Sequence, residues 1–237
     1  MNGAALAARY AFPPNRFGYC GTKSFRSVLG AHLSHGGHIK SLESELRNFR
    51  VHYAYLRLIA RESGRKPFEM EVVRAFWTGN TLLENVSGQA LRRFISRDLF
   101  EGKHPSRARK LCSTLPDGIL PHHSFNSLFV NFVTDRVERS AENFDSCCIT
   151  AARVLSVGNR RASVTRNSIG HKGGFVFREK KDALGLEHDS VRLAGRIKKG
   201  DIVSAHWGMA VEKLSPGNAR LLEKYTKRNI EAVNGMR

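Results

Sequence analysis

The sequence predicts an α+β protein: an N-terminal α-helical bundle, then a small β-barrel with a C-terminal helix. Three observations carry this. Apolar residues recur at helical spacing between Leu42 and Ile95. From Ile149 the pattern changes to short β-branched runs broken by glycine turns. Ser215-Pro216 then offers an N-cap and a first helical residue, so a last helix starts there. The change of texture divides the chain into an α-helical domain over 1–140 and a barrel with its helix over 147–237. The polar stretch Arg139 to Asp145 marks the boundary.

Taken in order, the first segment is compatible with a short helix that breaks at Pro13-Pro14. The run Pro13-Pro14-Asn15-Arg16-Phe17-Gly18-Tyr19-Cys20-Gly21 reads as a specified loop packed on the helical body, because proline fixes φ and glycine permits positive φ. Residues 27–38, with His32, His35, His38 and a Gly36-Gly37 pair, read as a polar loop rather than a metal site, since the histidines do not share one helical face. Leu42, Leu46, Phe49, Tyr53, Leu56 and Ala60 form an amphipathic stripe from Ser41 to Gly64. Phe68 to Glu84 places Val72, Val73, Phe76 and Trp77 near one side, with Gly79 weakening it. Leu91, Phe94 and Ile95 give another helix over Gln89 to Phe100. Three helices with short connections imply a bundle.

Lys103 to Lys110 is basic and poor in apolar residues, hence a loop. Phe125, Leu128, Phe129 and Phe132 fit a helical stripe, but Phe129 to Val133 fits a strand equally, and periodicity leaves both open. Strand-like runs follow at 149–157, 162–165, 174–178, 190–193, 202–206 and 209–211. So many short strands in so short a span predict a small barrel. The last helix, from Pro216 to Val233, is basic and weakly amphipathic, which suggests a surface position.

The bulk numbers bound the function. Lys+Arg number 39 against 21 Asp+Glu, a net charge of +18, so polyanions are the obvious partners. The basic residues are dispersed, however, and read as a solvated face more than a nucleic-acid groove. No apolar run approaches the ~20 residues of a membrane span, and Arg9 inside the short apolar N-terminus argues against a secretory signal. The 4 cysteines hold no Cys-x-x-Cys pair, which points away from a disulfide framework and towards a reducing, cytoplasmic setting. Walker-type, dinucleotide and kinase signatures are absent, so the expectation is a protein that is not an enzyme.

The richest stretch is Lys199 to Leu214. Gly200-Asp201 is a turn, Ile202 to Ala205 a short strand, and His206 follows at its far end before Trp207 and Gly208. A glycine beside a histidine lets another backbone or a ligand approach closely. The pattern Gly-Asp-x-Val-x-x-His-x-Gly-x-Ala, with Cys147-Cys148-Ile149-Thr150-Ala151-Ala152-Arg153-Val154 upstream, resembles the hydrogenase-maturation chaperones HypC/HupF. Those are small barrels of the oligonucleotide-fold type with a C-terminal helix. The resemblance covers the last third of the chain. It implies that Cys147 and His206 hold an iron carrying cyanide and carbon monoxide, that Gly208 and Trp207 lie at the partner-binding face, and that the partner is a metalloenzyme precursor or maturation factor. Separately, Arg9-Tyr10-Ala11-Phe12-Pro13-Pro14-Asn15-Arg16 resembles a family of bacterial and archaeal proteins of unknown function.

A second candidate site combines His122 or His123 with Cys20, although adjacent histidines point apart on a helix and on a strand. Cys20 as a nucleophile has no base readable nearby. The rival function is an RNA- or single-strand-binding module, in which Phe175, Phe177 and Trp207 would stand exposed among Arg178, Lys180 and Lys181.

Overall fold

The computed structural model describes residues 2–134 and 140–236, so Arg139, at the expected boundary, lies outside the described residues. The architecture is α+β. Helices α1 (Gly3–Asn15), α2 (Phe25–His35), α3 (Ile39–Arg47), α4 (Arg50–Glu62), α5 (Met70–Trp77), α6 (Gly88–Arg97) and α7 (Pro105–Ser113) come first. A π-helical turn (Phe125–Val130) runs into α8 (Asn131–Thr134), and α9 (Ala141–Cys147) leads to the barrel. Its strands are β1 (Thr150–Val157), β2 (Arg161–His171), β3 (Phe175–Gly185), β4 (Ile202–His206) and β5 (Met209–Leu214), followed by α10 (Pro216–Asn234).

The strands close in the order β1-β2-β3-β5-β4. β2 and β3 pair antiparallel along their full length, from Arg161↔Gly185 to His171↔Phe175. Closure falls at the short parallel pairing Gly185↔Met209, where Gly185 N–H donates to the Gly208 carbonyl at 2.8 Å. Ala152, Val154, Val164, Leu184, Val203 and Ala205 fill the barrel interior. The other apolar cluster is continuous from Ala4 in α1 through the helices to Val211 in β5 and Val233 in α10. β4 is therefore covered on both sides, which is why its sequence is a run and not an alternation.

Several elements differ from expectation, each for a local reason. α1 continues through Pro13 and Pro14 to Asn15, and the Tyr10 carbonyl that Pro14 orphans takes a side-chain partner, His206 Nδ1, instead. Residues 25–35 are helical and the glycines only end that helix, Gly36 at φ 70°. The Ser41–Gly64 stripe is two helices: the chain bends at Asn48-Phe49, yet the apolar phase carries across. α7 occupies the expected Lys103–Lys110 loop, with Pro105 in the first helical turn. Residues 190–193 make only an isolated bridge, His188↔Val191, and not a strand. α10 is no surface helix, since it buries Leu222, Tyr225, Asn229 and Ile230. The open question over Phe125 to Val133 resolves as helix.

Candidate functional site

The site begins with a proline. Pro14 stands four residues after Tyr10 and has no N–H to give the Tyr10 carbonyl. That carbonyl instead pairs with His206 Nδ1 at 3.0 Å, across 196 residues of sequence. Nδ1 must then carry the proton, and among the described residues the buried Nε2 has no hydrogen-bond partner. The Tyr10 hydroxyl donates within the same seam, where Ser204 Oγ lies 2.9 Å away and Glu212 Oε2 3.0 Å, and Arg74 Nη2 meets Glu212 Oε1 at 2.7 Å. One residue of α1 thus fixes both β4 and β5.

Cys147 is delivered from the other side. It is the last residue of α9, just ahead of the strand-like run expected from Ile149. Asp145 anchors that helix to β2: its carboxylate accepts from Arg166 Nη1 and Nη2 at 2.9 and 2.7 Å, from the Ile169 N–H at 2.8 Å and from Lys180 Nζ at 2.9 Å. These donors hold the Asp145 carboxyl below its usual range despite its burial. The Trp207 N–H donates to the Ser146 carbonyl at 2.9 Å, drawing the β4–β5 turn against Cys147.

Cys147 and His206 consequently line one cavity of about 330 Å³ at the seam between helices and barrel, together with Cys20, His52, Trp77, His123 and Trp207. Two elements bring in residues that sequence reasoning missed. α4 supplies His52, whose two ring nitrogens are both buried and have no hydrogen-bond partner among the described residues. The π-helical turn supplies Ser127, whose Oγ lies 3.2 Å from Cys147 Sγ and 3.4 Å from His123 Nδ1. The rings form a continuous wall: Trp77 stacks on His123 at 4.8 Å, His123 meets His206 edge-on at 5.1 Å, and His52 leans on Trp77 at 4.9 Å. A readable signal existed only for Tyr10-x-x-x-Pro14. His52 fell outside the apolar stripe and looked like an ordinary polar position.

The remaining expected residues sort clearly. His123 and Cys20 join Cys147 and His206 at the cavity; His122 does not, its Nδ1 lying 2.8 Å from Ser124 Oγ. Gly208 is the positive-φ corner of the β4–β5 turn (φ 72°) rather than a cavity wall. Trp207, itself at φ 47°, joins Tyr19 (4.8 Å) and Phe17 (5.8 Å) in an aromatic group at the mouth, and Arg16 Nη2 donates to its carbonyl at 2.9 Å.

Burial sets the charge states. It lowers His52 and His206 to about 3, the second in spite of the Tyr10 and Cys147 backbone groups beside the ring. His123 is driven well below its usual value, first by burial and then by the other histidines. Burial pushes the Cys147 thiol up to about 11, with Ser127 pulling the other way. At neutral pH the wall therefore presents neutral imidazoles and a protonated thiol. Neutral imidazole is the ligating form for a late first-row metal, and a thiol sheds its proton when a metal binds. Among the described residues no group of three or more His, Cys, Asp or Glu is gathered to hold a metal ion.

The fold and cavity define a class: an α+β protein whose helices and closed barrel jointly wall a cysteine- and histidine-bearing cavity. The chain belongs to DUF6390, a family of unknown function whose model matches residues 1–237. No curated protein and no solved structure matches it. Among the described residues no helix is long and apolar enough to cross a membrane.

Proposed function

We propose that this protein is an accessory of the hydrogenase-maturation type, a carrier that takes an iron fragment at Cys147 and His206 and passes it to a protein partner. The observation that supports the reading is that Cys147 and His206 line one cavity, with His206 Nδ1 committed to the Tyr10 carbonyl and Nε2 without a hydrogen-bond partner among the described residues. A locked tautomer with one unmet nitrogen is how ligating histidines are oriented. The iron, when bound, supplies coordination positions for its own small ligands; the protein's part is to give one sulfur, one nitrogen and a largely apolar, water-excluding wall. The aromatic group of Phe17, Tyr19 and Trp207 at the mouth suits contact with the partner, Phe17 and Tyr19 being 53% and 58% exposed.

The test is iron that co-purifies with the protein expressed in a host with an active maturation system. The wild type retains iron, while Cys147→Ala and His206→Ala lose it. Iron content unchanged in both variants removes the carrier reading.

The net charge of +18 favours the second reading, a nucleic-acid-binding barrel. Of the rings that reading needs in the open, Phe175 is buried against Phe132 and Phe144, and Phe177 and Trp207 are only partly exposed. A binding titration with single-stranded RNA across salt separates the two: a steep loss of affinity with salt favours nucleic acid.

A further inference from the structure

We propose that the cavity between helices and barrel binds a small organic molecule: an uncharged, planar heterocycle of one or two rings whose edge carries both an N–H and a carbonyl, held by His52 and Trp77. The inference goes beyond the carrier reading and needs no metal.

Size and charge define the class. A cavity of about 330 Å³ lies at the small end of organic-ligand sites. At the packing density of organic solids it takes roughly 10–15 non-hydrogen atoms. Its walls favour a flat, mainly apolar body, since Phe49, Phe76, Trp77 and Trp207 line it with Pro14 and Val51. Burial keeps the imidazoles of His52 and His206 neutral. Among the described residues that line the cavity, Arg50 alone is charged at neutral pH, and it already pairs with Glu101 at 3.3 Å. A buried anion would therefore lack a free cation to balance it. A cation would meet no carboxylate among those residues, and a chain of net charge +18 opposes it.

The polar edge is read from buried groups with unmet capacity. His52 is 7% exposed and Trp77 3%, and both line the cavity. Neither His52 ring nitrogen, nor Trp77 Nε1, nor His206 Nε2 has a hydrogen-bond partner among the described residues. The three rings are neighbours: centroids lie 4.9 Å apart for His52 and Trp77 and 5.9 Å apart for Trp77 and His206, so one ring-sized molecule spans them. The neutral His52 imidazole brings one donor and one acceptor, and the indole one donor. Leaving such groups unmet in a dry site is costly. Water meets them poorly, because a buried water makes about three hydrogen bonds, and Phe76 and Trp77 crowd the His52 ring at 5.4 and 4.9 Å. The complement is a cyclic amide. Its carbonyl accepts from His52 and Trp77, and its N–H donates to an imidazole nitrogen. Tyr10 and His123 stack on Trp77 at 5.2 and 4.8 Å, so the indole is fixed before a guest arrives.

Calorimetric titration of the full chain in EDTA tests this. The probe is 2-quinolone, a fused cyclic amide of the right size, with naphthalene as its apolar match and quinoline-2-carboxylate as its charged one. The wild type is expected to bind 2-quinolone with a Kd of about 1–100 μM, and each control about tenfold or more weakly. His52→Phe should weaken 2-quinolone about fivefold to thirtyfold, as for one lost buried hydrogen bond, and leave naphthalene within about twofold. His52→Gln, which keeps a donor and an acceptor, should restore part of the difference and stands in if the Phe variant fails to fold. Trp77→Phe should weaken 2-quinolone as well. No binding of 2-quinolone by the wild type up to about 1 mM overturns the inference. So does naphthalene binding as tightly as 2-quinolone, or 2-quinolone affinity unchanged in His52→Phe and His52→Gln, since the cavity is then only apolar space. Tighter binding of the carboxylate overturns the uncharged class. Because metal is stripped throughout, none of these results bears on iron retention, and loss of the carrier reading leaves this inference standing.

Discussion

Acid should unfold this protein well before its carboxylates protonate. His52, His122 and His206 each fall from 6.5 to about 3 on folding, with burial the first cause in each. A depressed histidine is neutral in the fold and becomes protonated when the chain opens. The unfolded state therefore binds more protons between pH 6.5 and about 3, and stability falls as pH falls through that window. At pH 5, which is 1.5 below 6.5, each group costs about 2 kcal/mol, so these imidazoles together cost about 6 kcal/mol. Total stabilities of domains run about 5–15 kcal/mol. His123, lowered further still, adds to the effect. Urea titrations at pH 7.5, 6.5, 5.5 and 5.0 should show a midpoint that collapses across the series. His52→Phe should recover about 2 kcal/mol of the loss between pH 7.5 and 5.0, since it removes one group from the linkage. Stability that stays flat from pH 7.5 to 5.0, or that falls equally in His52→Phe, would refute the claim that these rings are buried and neutral.

Asp145→Asn removes the carboxylate charge facing Arg166 and Lys180, leaving Arg166 buried beside Asp182 alone; urea unfolding should show a loss of about 3 kcal/mol or more, and less than 1 kcal/mol would mean the pair does not anchor α9. Cys147, raised from 9.0 to about 11, should have about a hundredfold less thiolate at pH 8 than an ordinary thiol, so a small thiosulfonate followed by peptide mass mapping should label exposed Cys20 first. Gly21→Ala drives a Cβ into the Phe49 ring at a φ of 73°, and should speed Cys147 labelling about tenfold by lifting the loop from the cavity; an unchanged rate would show that this loop does not cover it.

The barrel was legible because β4 and β5 are short, β-branched and punctuated by glycine, and because the Ser215 side chain does cap the last helix. β2 and β3 run much further than their apolar kernels, since the outward positions Arg161, Ser163 and Lys181 face solvent and look like loop. α2 and α7 escaped because histidine, glycine and arginine mask a helix that neighbours stabilise by packing on one or two positions, Phe25 and Leu29 in the first case. For the site, Cys147, His206, His123 and Cys20 carried recognisable chemistry, and all four line the one cavity. His52 and Ser127 could not be found from spacing, because what singles them out is three-dimensional: one is buried with no hydrogen-bond partner among the described residues, and the other sits on a π-helical turn that shifts the phase of its side chains.

The bond from His206 to the Tyr10 carbonyl has a consequence for biosynthesis. A ribosome must finish β4 before the opening helix can gain its last partner. Until then the Tyr10 carbonyl orphaned by Pro14 has only water to bind, and the pocket lacks a side. The cavity is therefore incomplete on a nascent chain and gains its last wall only when the earliest and late-made segments have met.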